Sequence, residues 1–230
     1  MKVKICGITT PDDARMAAEA GADAVGLNFV GGPRKIDLAQ AERILDALPP
    51  LIIPVALVRL GDSNPGEMNE QVMELLATRW VSTVQVYGEL TAPVIDRLAW
   101  EGFRVIVPLP VRDAGFFRTV PWTTAGQGRG PAMALLDAHD PNKAGGTGRT
   151  FAWSWVREAR SRGELAQWPP VLLAGGLTPE NVRQAVAEAD PYGVDVSSGV
   201  ESSPGRKDAA KVARFIAEAR SAERHVSSDV

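Results

Sequence analysis

Val171-Leu172-Leu173-Ala174-Gly175-Gly176-Leu177-Thr178-Pro179-Glu180-Asn181-Val182 packs three kinds of signal into one short stretch. An unbroken apolar run reads as a strand buried on both faces, and the glycine pair after it as a loop with unusual backbone angles. Thr-Pro-Glu then reads as a helix start, with threonine as N-cap, proline at the first helical position and an acid in the first turn. Val182, Ala185, Val186 and Ala189 follow at i, i+3, i+4 and i+7, a single apolar stripe that can pack on a sheet. The stretch is therefore one strand–loop–helix unit of an α/β protein.

The same grammar recurs along the 230 residues. Apolar runs at 3–5, 24–29, 52–58, 84–87, 103–109, 133–136, 171–174 and 194–196 make eight candidate strands, and most are followed by a helical stretch. Thr9-Thr10-Pro11-Asp12-Asp13 repeats the helix-start signal, and Val212, Phe215, Ile216 and Ala219 repeat the stripe. Eight units in this length predict a single-domain (β/α)8 TIM barrel over residues 1–222, with a doubly wound open sheet as the other architecture. The weak section is 112–130, where no stripe forms and the fifth helix is expected to be short or irregular. The polar residues 223–230 are expected to fray as a tail.

Composition narrows the partners. A formal net charge of -3 and a pI near 5.5 argue against nucleic-acid and membrane surfaces, while leaving room for a local basic pocket that takes a small anion. No signal-peptide pattern and no bilayer-spanning run is legible, so a cytoplasmic protein is expected. The single cysteine, Cys6, excludes an intrachain disulfide and is too little for a structural zinc site. Its chemistry is that of a free thiol or thiolate, and neither metal nor cofactor is expected.

In a barrel, chemistry collects where the strands end at their carboxyl side. Read in order, those positions carry Cys6-Gly7, then the Arg34 loop, then Gln85 to Gly88, then Asp137, then three glycine-rich loops. Backbone N–H groups of Gly146, Thr147, Gly148, Gly175, Gly176, Ser198 and Gly199 are expected to form a phosphate cup, since free amides near a helix start bind anions. Cys6, Asp137, Arg34 and Gln85 stand on the same face as candidate site residues. Taken singly, each has an ordinary alternative: a small buried hydrophobe for Cys6, a loop brace for Asp137, a solvated surface charge for Arg34. The two histidines, His139 and His225, offer no acid–base pair.

Lys4-Ile-Cys-Gly-Ile-Thr9, the GGPRK run at 31–35, VQVYGE at 84–89, LLD ending at Asp137, GGTGRTF at 145–151, LAGGLTPENV at 173–182 and DVSSGVESSPGRKD at 195–208 occur in this order. Together they resemble the phosphoribosylanthranilate isomerases of tryptophan biosynthesis. The resemblance implies that Cys6 is the general base, Asp137 the general acid, and Arg34 the holder of the anthranilate side. It also implies an Amadori rearrangement of a phosphorylated aminosugar, by a monomer or homodimer. Tyr87, Ala152 and Gly32 depart from the family pattern and alter the expected shape of the anthranilate pocket. The alternatives are another phosphosugar-binding barrel enzyme or a non-catalytic phosphoribosyl-binding module. For the rearrangement, the thiolate is expected to be stabilised by local positive potential and the carboxylic acid kept protonated by burial.

Overall fold

The computed structural model describes residues 1–61, 67–122, 128–138 and 150–226. Eight parallel strands close into a barrel in sequence order: β1 (Lys2–Ile5), β2 (Ala24–Asn28), β3 (Ile53–Arg59), β4 (Thr83–Tyr87), β5 (Arg104–Val111), β6 (Met133–Ala138), β7 (Val171–Leu173) and β8 (Gly193–Val196). The (β/α)8 barrel expected from the repeats is the fold. Seven α-helices are present among the described residues: α1 (Pro11–Glu19), α2 (Leu38–Ala47), α3 (Glu70–Thr78), α4 (Ala92–Trp100), α5 (Ser154–Ser161), α6 (Val182–Ala189) and α7 (Ala209–Val226). Between β5 and β6 the described residues hold only a 3-10 turn, Phe116–Arg118, as the missing stripe foretold. No helix of the described residues is long and apolar enough to cross a membrane.

Alternation along the strands splits the apolar residues into two packings. One large cluster, with Val3, Ile5, Val25, Leu27, Ala56, Val58, Leu136 and Val194, lies between strands and helices. A second, small cluster holds Cys6, Val55, Leu57, Ile106, Leu135, Leu172 and Ala174, which by alternation point into the barrel. Cys6 shares this inner cluster, so the first strand aims its thiol inward. The interior also holds the buried polar side chains of Lys4, Gln85 and Asp195.

Three boundaries differ from the sequence reading. The last helix runs to Val226, past the point where a fraying tail was expected. β6 extends to Ala138, so Asp137 belongs to the strand itself, in register with Pro110 of β5. Thr10 caps α1 as expected, accepting from the Asp13 amide at 3.2 Å. Thr178 does not cap α6, which begins at Val182 after Asn181 and has no side-chain cap. Instead Thr178 closes the preceding turn: its hydroxyl accepts from the Glu180 amide and its amide donates to Asn181 Oδ1 at 2.8 Å. Asn181 Nδ2 then donates to the Gly176 carbonyl at 3.0 Å, so the asparagine amide fixes the glycine loop.

Candidate active site

A cavity of about 430 Å³ opens at the carboxyl ends of the strands and is lined by Cys6, Arg34, Gln85, Asp137, Gly175, Gly176, Ser198 and Gly199. The barrel brings these expected site residues together at one mouth. Gly146, Thr147 and Gly148 lie outside the described residues, as does His139.

Cys6 is buried at the end of β1, and its sulfur sits over Gly26, where an added Cβ would lie 2.7 Å from Sγ. Glycine on β2 is what gives the thiol its place. Burial pushes the Cys6 thiol up, with the Lys4 ammonium opposing only in part. That corrects the expectation of a depressed thiol: the positive charge is present, but desolvation outweighs it. The Asp137 carboxyl is pushed up to about 6, by burial first and by the Asp195 charge second, which falls short of the acid expected to stay protonated at neutrality. Near neutrality the Cys6 thiol therefore keeps its proton, while the Asp137 carboxyl is mostly ionised.

Beneath this pair runs a buried polar chain absent from the sequence reading. Lys4 and Asp195 are register partners across β1 and β8, and their side chains pair at 2.8 Å with almost no solvent contact. Lys4 Nζ also donates to Gln85 Oε1 at 3.1 Å, and Gln85 Nε2 donates to the Tyr87 hydroxyl at 2.6 Å. Burial acts most strongly, to lower the Lys4 ammonium, but Asp195, Cys6 and Tyr87 together outweigh it and keep the lysine charged. Gln85 thus reaches the cavity with both ends of its amide engaged inside the protein. Tyr87, raised by burial, stands there as a neutral phenol. One signal was available in the sequence: a charge inside each of two apolar strands, at positions sharing a face with Cys6, needs a buried partner.

Arg34 reaches the rim from the loop after β2. Its Nε and Nη2 donate to the two oxygens of Glu201, each at 2.7 Å, and Lys207 Nζ donates to Glu201 Oε1 at 2.8 Å. Glu201 opens the hairpin β9 (Glu201–Ser203) and β10 (Arg206–Lys207), which follows β8. Arg34 is held in its charged form first by that hydrogen bond, so it is not a free surface charge. Gly7 has φ +72°, and an added Cβ would lie 2.5 Å from Arg34 Cδ and 3.0 Å from Ser197 Oγ. The Arg34 stem fills the space beside Gly7.

The glycine loops have two tasks. Gly175 and Gly176 take positive φ, +81° and +64°, and a Cβ on Gly175 would lie 2.9 Å from Asp137 Oδ1. Gly199 meets another loop: its Cβ would lie 1.9 Å from the Leu177 carbonyl oxygen. Close backbone packing thus sets the loops after β7 and β8 against each other at the cavity wall.

A family described as N-(5'phosphoribosyl)anthranilate (PRA) isomerase matches residues 3–218. An N-(5'-phosphoribosyl)anthranilate isomerase of Trichlorobacter lovleyi is 41% identical, over 96% of this chain and 99% of the relative. The crystal structure of phosphoribosyl anthranilate isomerase from Thermotoga maritima superposes with a TM-score of 0.78 at 33% identity, covering 96% of this chain and 99% of that one. A second solved isomerase, in complex with reduced 1-(o-carboxyphenylamino)-1-deoxyribulose 5-phosphate, gives 0.75 at 30% identity, covering 96% of this chain and 99% of its own.

Proposed function

Because the chain belongs to the PRA isomerase family of tryptophan biosynthesis, we propose that Cys6 is the general base of its aldose–ketose rearrangement and Asp137 the general acid. The reaction turns N-(5-phosphoribosyl)anthranilate into 1-(2-carboxyphenylamino)-1-deoxyribulose 5-phosphate. Asp137 gives its proton to the furanose oxygen as the C1–O bond breaks, and the nitrogen lone pair forms the iminium. The Cys6 thiolate then removes the C2 proton, the electron pair moves to the iminium nitrogen, and the resulting enol becomes the ketone. The iminium is itself a cation beside the sulfur, so the charge that burial disfavours in the free protein gains a partner when it is needed.

One observation carries this reading: the thiol of β1 and the carboxyl of β6 face a single cavity large enough for a small sugar phosphate, with Arg34 at its rim. Amides at Gly175, Gly176, Ser198 and Gly199 take the phosphate, and Arg34 takes the anthranilate carboxylate as a charge-assisted donor. Gln85 contributes through Tyr87, whose ring helps to wall the pocket. A diffusing phosphate ester as substrate fits a cytoplasmic enzyme.

The test is the loss of anthranilate-type fluorescence when purified protein meets freshly made phosphoribosylanthranilate. Wild-type protein should quench it in an enzyme-dependent way. Cys6→Ser and Asp137→Asn should each lower kcat by about a hundredfold or more, the scale of a positioned acid or base. A folded Cys6→Ser or Asp137→Asn variant with wild-type kcat, chemistry being rate-limiting, overturns that residue's role.

A further inference from the structure

The Arg34 guanidinium is tightly held at the edge of the site: Glu201 takes its Nε and Nη2 in a two-point fork, leaving the Nη1 side for another anion. Arg34 remains at the cavity wall with its side chain 17% exposed, whereas that of Glu201 is 4% exposed and that of Lys207 is fully buried. A buried carboxylate facing two cations leaves the cluster one positive charge, which suits an anionic ligand. Lys207 is anchored in turn, since its Nζ donates to the Ser197 carbonyl at 3.1 Å and its backbone amide to Asp13 Oδ2 at 3.3 Å. Lys211 Nζ holds the Glu201 carbonyl at 2.8 Å. The hairpin is thus tied to α1, to α7 and to the end of β8, and its first side chain determines where the arginine fork lies.

We propose that Glu201 is a positioning residue of the reaction: it acts through Arg34, orienting the guanidinium so that its open side meets the substrate carboxylate. This rests on the reading of Arg34 as the carboxylate partner. Charge alone would act in the opposite sense, because neutralising Glu201 makes the cluster more positive and should draw an anionic substrate in more strongly. Orientation and charge are therefore separable by the direction of the change in KM.

Glu201→Gln keeps the shape and removes the ionic fork. KM for phosphoribosylanthranilate should rise by about tenfold or more, the scale of a charge-assisted contact, with kcat within about threefold. The aniline analogue of the substrate, which lacks the carboxylate, should bind wild type and variant alike. On an Arg34→Met background, where KM is already raised, Glu201→Gln should add less than about threefold, because both changes remove one contact. Glu201→Asp, with the charge retained on a shorter stem, should give an intermediate KM and covers the case in which Glu201→Gln does not fold. An unchanged or lowered KM in a folded Glu201 variant overturns the proposal, as does an equal effect on the aniline analogue or an undiminished effect on the Arg34→Met background. If Arg34→Met itself leaves KM unchanged, the carboxylate reading of Arg34 fails first, and that outcome is visible before any Glu201 variant is made.

Discussion

Gly7→Ala adds one methyl group at the point where β1 ends and Arg34 crosses the barrel rim. Two effects are separable there. The backbone has φ +72°, a left-handed conformation that costs an L-residue about 1–2 kcal/mol. The new Cβ would also lie 2.5 Å from Arg34 Cδ, closer than Cβ contacts allow, and a tight 3.2 Å from Cγ. The stem cannot swing aside freely, because Glu201 holds the far end of the side chain by two bonds of 2.7 Å. The guanidinium must leave its orientation, and loss of one charge-assisted bond to substrate is worth about 1.5–3 kcal/mol, or about ten- to a hundredfold in KM. Gly163→Ala is the control: its φ is +76° but nothing lies within 4 Å of the added Cβ. Both variants should lose a few degrees of Tm, and only Gly7→Ala should raise KM in the fluorescence assay. A Gly7→Ala protein with lowered Tm and wild-type KM would refute the claim that Gly7 makes room for a working Arg34.

The remaining expectations concern the proton inventory and the glycines. With Asp137 at about 6 and the Cys6 thiol raised, the reactive form (carboxyl protonated, sulfur ionised) is a minor proton isomer of the resting one. Its share is constant between the two apparent pKa values, so kcat/KM should be flat near neutrality and fall as pH drops below about 6, where both groups hold protons; a profile that stays flat down to about pH 4, the ordinary aspartate range, contradicts the raised carboxyl. Gly26→Ala places a methyl 2.7 Å from Cys6 Sγ and 3.1 Å from its Cα, so the sulfur must move and kcat should fall at least about tenfold with KM little changed; steady-state kinetics at full substrate saturation read this directly. Gly199→Ala meets the Leu177 carbonyl oxygen at 1.9 Å, so the loops after β7 and β8 must part and inorganic phosphate should lose its competitive inhibition; retained inhibition would remove Gly199 from the phosphate cup.

The barrel was legible because its signals are local. Apolar runs of strand length, threonine–proline starts and one-sided stripes each lie within a few neighbouring residues, and their repetition implies closure. The gathering of Cys6, Asp137, Arg34, Gly175, Gly176, Ser198 and Gly199 around one cavity was legible for the same reason, since topology puts every strand's carboxyl end on one face. Even the weak section at 112–130 was a local matter, and its described residues hold a 3-10 turn, Phe116–Arg118. What the sequence could not state is which of these residues touch. Lys4 becomes the partner of Asp195 only through the register of β1 on β8, 191 positions apart. Arg34 becomes the partner of Glu201 only when a hairpin beyond the eighth strand folds back over the rim. The space at Gly7 is taken by a side chain from another loop, and the thiol is raised because the closed barrel removes water faster than Lys4 can compensate. Local propensity acts over a turn or a strand, whereas desolvation and ion pairing act through space, and only the closed barrel brings residues far apart in the chain to within a few ångströms.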